Sequence, residues 1–185
     1  MSTSPSSRRD FLRATAATTA AFSFATWACA EPRAASQTLA AKPAKSALER
    51  RRFGKTDMDV TILGFGGAEI GYEKTDQATV DKLLNAALDA GLNTIDTAEC
   101  YVDSEVQIGK AIGGRRKEFH LFTKCGHYEE GKGRGNDWSK AGILKSVERS
   151  LQRLETDAVD LVQLHSCSLE ELQKGECIEA LEQAK

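Results

Sequence analysis

The feature that most limits the fold of this chain is a unit repeated four times: an apolar run of strand length, then a segment with helical periodicity. The first run is Thr61 to Gly67 and ends in glycines. Thr75 or Asp76 then caps a helix to about Ala90, with Val80, Leu83, Leu84, Ala87 and Leu88 on one face and Gly91 closing it. The second unit joins a strand from Asn93 to Asp96 to a helix capped by Ser104, with Val106, Ile108, Gly109, Ala111 and Ile112 turned inward. Phe119 to Thr123 opens the third. A glycine-rich loop separates it from a helix capped by Ser139, whose apolar positions are Ile143, Leu144, Val147, Leu151 and Leu154. Leu161 to Leu164 opens the fourth, and Ser168 caps a last helix through Leu172, Ile178 and Leu181. Ahead of these units, Arg52-Phe53 and Met58-Asp59-Val60 predict a short hairpin turning at Gly54 to Asp57. Strands alternating with helices demand a parallel sheet with right-handed crossovers.

Length and charge narrow the reading further. With 185 residues, 41% of them hydrophobic, the chain can build one globular domain but hardly two. The formal charge is −2 and both signs are dispersed, so no basic face points to nucleic acid. The densest positive run, Arg50-Arg51-Arg52, reads as a solvated edge. Cys29, Cys100, Cys125, Cys167 and Cys177 form neither a CxxC pair nor an even ladder, which argues against a zinc ribbon or a disulfide scaffold.

The first thirty residues read as an address. Arg8-Arg9-Asp10-Phe11-Leu12 is a paired-arginine segment, followed by an uncharged Ala- and Thr-rich stretch from Ala14 to Ala30. That stretch is too weakly apolar for a stable membrane span. Ala28-Cys29-Ala30 places small residues before a cleavage point at Glu31. Together they resemble a twin-arginine (Tat) signal, which implies export of a folded protein to the periplasm or cell envelope. A disordered basic tail and lipidation at Cys29 are the alternatives; Trp27 fits a lipobox poorly. Residues 31–49, rich in Ala, Ser and Lys, read as a flexible linker.

Periodicity alone does not separate a doubly wound sheet from a barrel. A dinucleotide-binding turn needs GxGxxG, but Gly64-Phe65-Gly66-Gly67-Ala68-Glu69 has glutamate at the last position. In a βα barrel the chemistry sits at the C-terminal strand ends. Three runs here end on Asp96, Lys124 and His165, with Tyr101 a few residues beyond the first. Carbonyl reduction leaves an oxyanion that needs a proton, and a phenol can give it. A free phenol titrates near 10, so a neighbouring Lys124 ammonium that favours phenolate would help. Asp96 would hold the lysine, and His165 would donate a hydrogen bond to the substrate oxygen. Taken singly, each residue also has a structural reading as a cap, an ion-pair member or a satisfied core group.

The blocks Arg52-Phe53-Gly54-Lys55-Thr56, Leu63-Gly64-Phe65-Gly66-Gly67, Asp96-Thr97-Ala98-Glu99-Cys100-Tyr101, Phe122-Thr123-Lys124 and Asp160-Leu161-Val162-Gln163-Leu164-His165-Ser166 resemble, in order, those of the aldo/keto reductase family. The resemblance implies an NADPH-dependent reductase of aldehydes or ketones on a (βα)8 TIM barrel. Residues 50–185 would form its N-terminal hairpin and about four βα units. It implies Asp96, Tyr101, Lys124 and His165 as the catalytic set, with Tyr101 the general acid. It also implies that Gly66, Gly67 and Asp96 approach the nicotinamide, although Gly67 departs from the small hydroxyl residue frequent there.

A complete barrel has eight such units over about 250 residues. Four would leave two bare strand edges, so poor NADPH binding by this polypeptide alone is expected. A truncated reading frame and self-association of two copies through those edges both stay open. So does a non-catalytic half-barrel acting as a binding or assembly subunit. Cys100, Cys125 and Cys167 fall near the strand ends, with His127 close by; small apolar filler is the first reading, and a metal site or a disulfide the alternatives.

Overall fold

The structure is a computed structural model that describes residues 48–130 and 133–185. The signal and nearly all of the linker expected from the sequence lie outside the described residues.

The hairpin forms as expected. β1 (Arg50–Arg52) pairs antiparallel with β2 (Asp59–Thr61), Arg50 opposite Thr61. Gly54 turns the chain at φ +58°, and Thr56 Oγ1 donates to Phe53 O at 2.6 Å. The three arginines are exposed, as a solvated edge should be. Phe53 packs on Phe122 with ring centroids 5.4 Å apart, which docks the hairpin on the main sheet.

That sheet consists of β3 (Phe65–Gly66), β4 (Thr94–Asp96), β5 (His120–Cys125) and β8 (Leu161–Leu164), all parallel and in that spatial order. The order decides between the two architectures. A doubly wound sheet reverses direction after its first strands, whereas here each strand adds beside its predecessor, as in a barrel wall. Between β5 and the next helix lies a second hairpin, β6 (His127–Glu130) with β7 (Gly133–Asn136). The helices are α1 (Ala68–Tyr72), α2 (Gln77–Asp89), α3 (Ser104–Ile112), α4 (Lys140–Arg153), α5 (Leu169–Lys174) and α6 (Glu176–Ala184).

Three caps follow the sequence. Asp76 accepts from Thr79 N at 3.0 Å, Ser139 from Gly142 N at 3.1 Å, and Ser168 from Glu171 N at 3.2 Å. Each is worth about 1 kcal/mol. The main core lies between the helices and the sheet. Val80, Leu84 and Leu88 of α2 meet Ile108 and Ile112 of α3, Ile95 of β4 and Leu121 of β5. A smaller cluster of Cys125, Ile143, Cys177 and Ala180 serves the last unit.

Several expectations need correction. The run from Thr61 does not become one buried strand: Thr61 ends the hairpin, Ile62 and Leu63 are exposed, and only Phe65 and Gly66 pair with β4. The cause is that Ile62 N donates to Glu49 O, which holds this stretch to the hairpin, while Thr61 N donates to Asn93 Oδ1 just ahead of β4. Leu83 turns to solvent, while α2 buries Val80, Leu84 and Leu88. Ser104 is not a cap. It is the first residue of α3, and its buried hydroxyl donates to Gly67 O at 2.7 Å and lies 2.9 Å from Thr97 Oγ1. The last helix is broken at Gly175, whose φ of +84° ends α5 and starts α6.

Candidate active site

Asp96 ends β4, Lys124 is the penultimate residue of β5, and His165 follows β8, so the parallel register brings all three to one end of the sheet. Lys124 Nζ lies 2.5 Å from Asp96 Oδ2 and donates to Thr97 O at 2.8 Å. Gln163 Nε2 reaches the other carboxylate oxygen at 3.4 Å. Tyr101 arrives from the loop between β4 and α3. The Lys124 ammonium stands 5.0 Å from the centroid of its ring. His165 meets the same ring edge-on, 5.6 Å between centroids at 85°. All four residues expected from the sequence therefore converge on one rim.

Several forces hold the Tyr101 loop. Tyr101 N donates to Ala98 O, and Ser104 N donates to Tyr101 O. A Cβ at Gly71 would collide with Tyr101 O, so only glycine lets α1 lie against this backbone. Val102, directly after the tyrosine, sits at φ +53°, which is rare for a β-branched residue. Beneath the loop, the buried Glu99 carboxylate takes the Ser146 hydroxyl and Arg149 Nε, and Arg153 Nη1 donates to Glu99 O at 3.1 Å. Glu105 is equally buried. It accepts from Thr123 Oγ1 at 2.6 Å, and its Oε2 faces Arg153 Nη1 at 3.6 Å without a hydrogen bond. Burial pushes the Glu105 carboxyl above its ordinary range, against the Thr123, Ser150 and Arg153 contacts.

A cleft of about 420 Å³ opens over the rim, bounded by Tyr72, Cys100, Tyr101, His127, Arg134 and His165 among others. Burial lowers the His165 pKa below the usual imidazole value, helped by Lys124 and His127 and opposed by Asp96. The imidazole is thus kept neutral near pH 7. The sequence reads as a glycine-rich loop where the hairpin β6–β7 forms, and that hairpin supplies part of the cleft wall. The signal was present: His127-Tyr128 precedes a run of glycines, a pattern a hairpin also satisfies. Nothing in the sequence marks Gln163, an exposed polar residue within a strand, as a partner of Asp96.

The two glycines differ. Gly66 is exposed, and a Cβ built there meets nothing within 4 Å, so the end of β3 offers open backbone. Gly67 is buried: a Cβ would stand 2.7 Å from Ser104 Oγ and 3.2 Å from Asp96 O. Ser104 Oγ thus occupies the space where a side chain from position 67 would project. Open backbone at Gly66 beside the Asp96–Lys124 pair fits the flat nicotinamide end of a dinucleotide. Among the described residues no group of three or more His, Cys, Asp or Glu is placed to hold a metal ion. Cys125 and Cys177 are buried filler in the smaller core, and burial pushes the Cys125 thiol up to about 12. No described helix is long and apolar enough to cross a membrane.

Comparison with known proteins agrees with this geometry. The chain is 37% identical to an uncharacterized oxidoreductase, YqkF, of Bacillus subtilis over 142 residues, covering 75% of this chain and 45% of that protein. It is 33% identical to L-galactose dehydrogenase of Arabidopsis thaliana, again over 75% of this chain and 45% of the relative. The chain therefore spans about half the length of the curated relatives it matches. The holo form of aldo-keto reductase AKR11C1 from Bacillus halodurans superposes with a TM-score of 0.67 at 38% identity, covering 74% of this chain and 46% of that one. The four-stranded sheet and its helices are a partial (βα)8 barrel. The model of the aldo/keto reductase family matches residues 62–185, two thirds of the sequence, and the chain belongs to that family.

Proposed function

We propose that residues 50–185 carry the catalytic rim of an NADPH-dependent reductase of aldehydes or ketones. One observation carries this reading: carboxylate, ammonium, phenol and imidazole form a continuous series of contacts at the strand ends, beside an open cleft. When bound, the reduced nicotinamide supplies the hydride. The chain's own groups do the rest. Tyr101 gives its proton to the carbonyl oxygen as that atom gains negative charge, so hydride and proton together make the alcohol. The Lys124 ammonium, fixed by Asp96 Oδ2 and Thr97 O, stands over the ring to balance the charge left on the phenol. Neutral His165 directs the substrate oxygen with a hydrogen bond. Gly66 and Asp96 would hold the nicotinamide end; the described residues include no group we assign to the pyrophosphate. Weak binding of NADPH by this polypeptide alone is part of the proposal.

The test is NADPH oxidation driven by an aromatic aldehyde at high cofactor concentration. Slow turnover that Tyr101→Phe reduces by about 100-fold or more supports the reading. Turnover that survives the substitution rejects it. A second reading, a non-catalytic subunit, draws on β8, which forms one edge of the sheet and has no fully buried residue. Concentration-dependent dimerisation with no effect of NADPH on the rim would favour it.

We also propose export through the Tat route, supported by Arg8-Arg9 and the weakly apolar stretch behind them. Arg8→Lys with Arg9→Lys should retain the protein in the cytoplasm; unchanged export would reject the assignment.

A further inference from the structure

The loop that delivers Tyr101 also delivers a thiol. Cys100 Sγ lies 3.2 Å from His165 Nδ1, the one hydrogen bond this imidazole makes among the described residues. We propose that Cys100 is a positioning residue for His165: its S–H donates to Nδ1, so the neutral ring carries its proton on Nε2 and presents that N–H to the cleft.

Three observations lead to this assignment. First, the contact links the two strand ends that the reaction needs together, because Cys100 adjoins Tyr101 while His165 follows β8. The backbone of His165 is already set, its N donating to Cys125 O at 3.0 Å. Only the ring's rotation and tautomer remain to be fixed.

Second, burial and the charges around the ring disfavour a thiolate–imidazolium pair. Besides Cys100 itself, the groups facing the ring are Tyr101, Lys124, Asp96 and His127, and of these only Asp96 favours a charged ring. Burial also raises the Cys100 thiol above its ordinary value, so both partners are neutral near pH 7. Between a neutral thiol and a neutral imidazole, the unprotonated ring nitrogen is the strong acceptor and sulfur the weak one. The proton therefore sits on sulfur and points to Nδ1.

Third, the ring is held on its other sides without using Nε2. Tyr101 meets it edge-on, and His127 lies 5.5 Å away at 37°. Nε2 has no hydrogen-bond partner among the described residues. A ring so held has one donor, and it is free.

The catalytic use of that donor rests on the reductase reading; the hydrogen bond and the tautomer do not. The experiment is a long-range nitrogen–proton correlation spectrum of the uniformly 15N-labelled full chain near neutral pH. For His165 the expected pattern is Nδ1 in the unprotonated range and Nε2 in the protonated range. In Cys100→Ala the Nδ1 and Nε2 resonances should move toward each other as the tautomers mix. Cys100→Ser, whose hydroxyl can donate in the same place, should restore the wild-type pattern. Wild-type protein with the proton on Nδ1, or a Cys100→Ala spectrum identical to wild type, overturns the proposal. The wild-type spectrum decides even if the alanine variant does not fold. A correct tautomer with aldehyde reduction insensitive to Tyr101→Phe would leave this assignment standing and remove the reductase reading.

Discussion

Both ends of the parallel sheet carry an aspartate closed on a cation, yet the two pairs do different things. At the N-terminal end Asp160 Oδ2 lies 2.6 Å from Arg116 Nη2 and also accepts from Leu121 N at 2.8 Å. Arg116 also donates from Nε and Nη2 to Ala158 O and from Nη1 to Phe119 O. Most of the hydrogen bonds there run to neighbouring backbone, so the pair fastens the start of β8 to the start of β5. At the C-terminal end the Lys124 ammonium has three protons and two hydrogen-bond acceptors, Asp96 and Thr97. It lies against a phenol and below a cleft. An ion pair whose hydrogen bonds run mainly to backbone is a fastening. One that stands beside a phenol able to move a proton, under an open cleft, can take part in chemistry.

Exchanging the cations should separate the two roles. Lys124→Met is expected to lower aldehyde turnover by about 100-fold or more while shifting the urea midpoint little. Arg116→Met should do the reverse, costing about 2–3 kcal/mol of stability because one carboxylate contact and three hydrogen bonds to backbone carbonyls are lost. Equal loss of turnover in two folded variants would break the comparison.

Titration offers a finer probe. Burial alone would raise the Asp160 pKa, but the Leu121 amide and the Arg116 guanidinium outweigh it and the folded value is lowered. Its contribution is present above the unfolded carboxylate range and is lost as pH falls through the lower folded value. Glu105 has the opposite sign. Burial raises its folded pKa above 4.5, so the folded state binds the proton more tightly and stability falls as pH rises from 4.5 through the folded value. Glu105→Gln should flatten that slope, at most about 1.4 kcal/mol per pH unit, and Asp160→Asn should reduce acid sensitivity instead. Urea midpoints measured from about pH 3 to 7 read both.

The smallest expected effect concerns the rim loop itself. Val102 holds φ +53°, so Val102→Gly should raise stability by about 1 kcal/mol through relief of backbone strain. A loss of stability would mean that the Val102 side chain contributes more packing than its half-buried position suggests.

The contrast between the two ends also shows what the sequence can disclose. Asp96, Lys124 and His165 were readable because strand periodicity fixes where a strand ends, and in a barrel wall those ends share one rim. The caps at Asp76, Ser139 and Ser168 were readable because capping is local. What escaped depends on side chains from distant elements. Ser104 looks like a cap until Gly67 O and Thr97 claim its hydroxyl. Ile62 and Leu63 look like a strand until the hairpin holds them outside the sheet. Glu99 and Glu105 carry no local signal of burial, and only the folded chain brings Arg149 and Arg153 to them. The Cys100–His165 contact spans 65 positions, and no spacing rule reports it.

The central claim is that the C-terminal strand ends form one site for a nicotinamide and a carbonyl, and an amide-resolved titration of the full chain with NADPH tests it most directly. The account predicts weak, saturable shifts gathered at Gly66, Asp96, Tyr101, Lys124 and Gln163, with the N-terminal end around Asn93, Arg116 and Asp160 unmoved. Shifts centred on that opposite end, or none at millimolar NADPH, would contradict it.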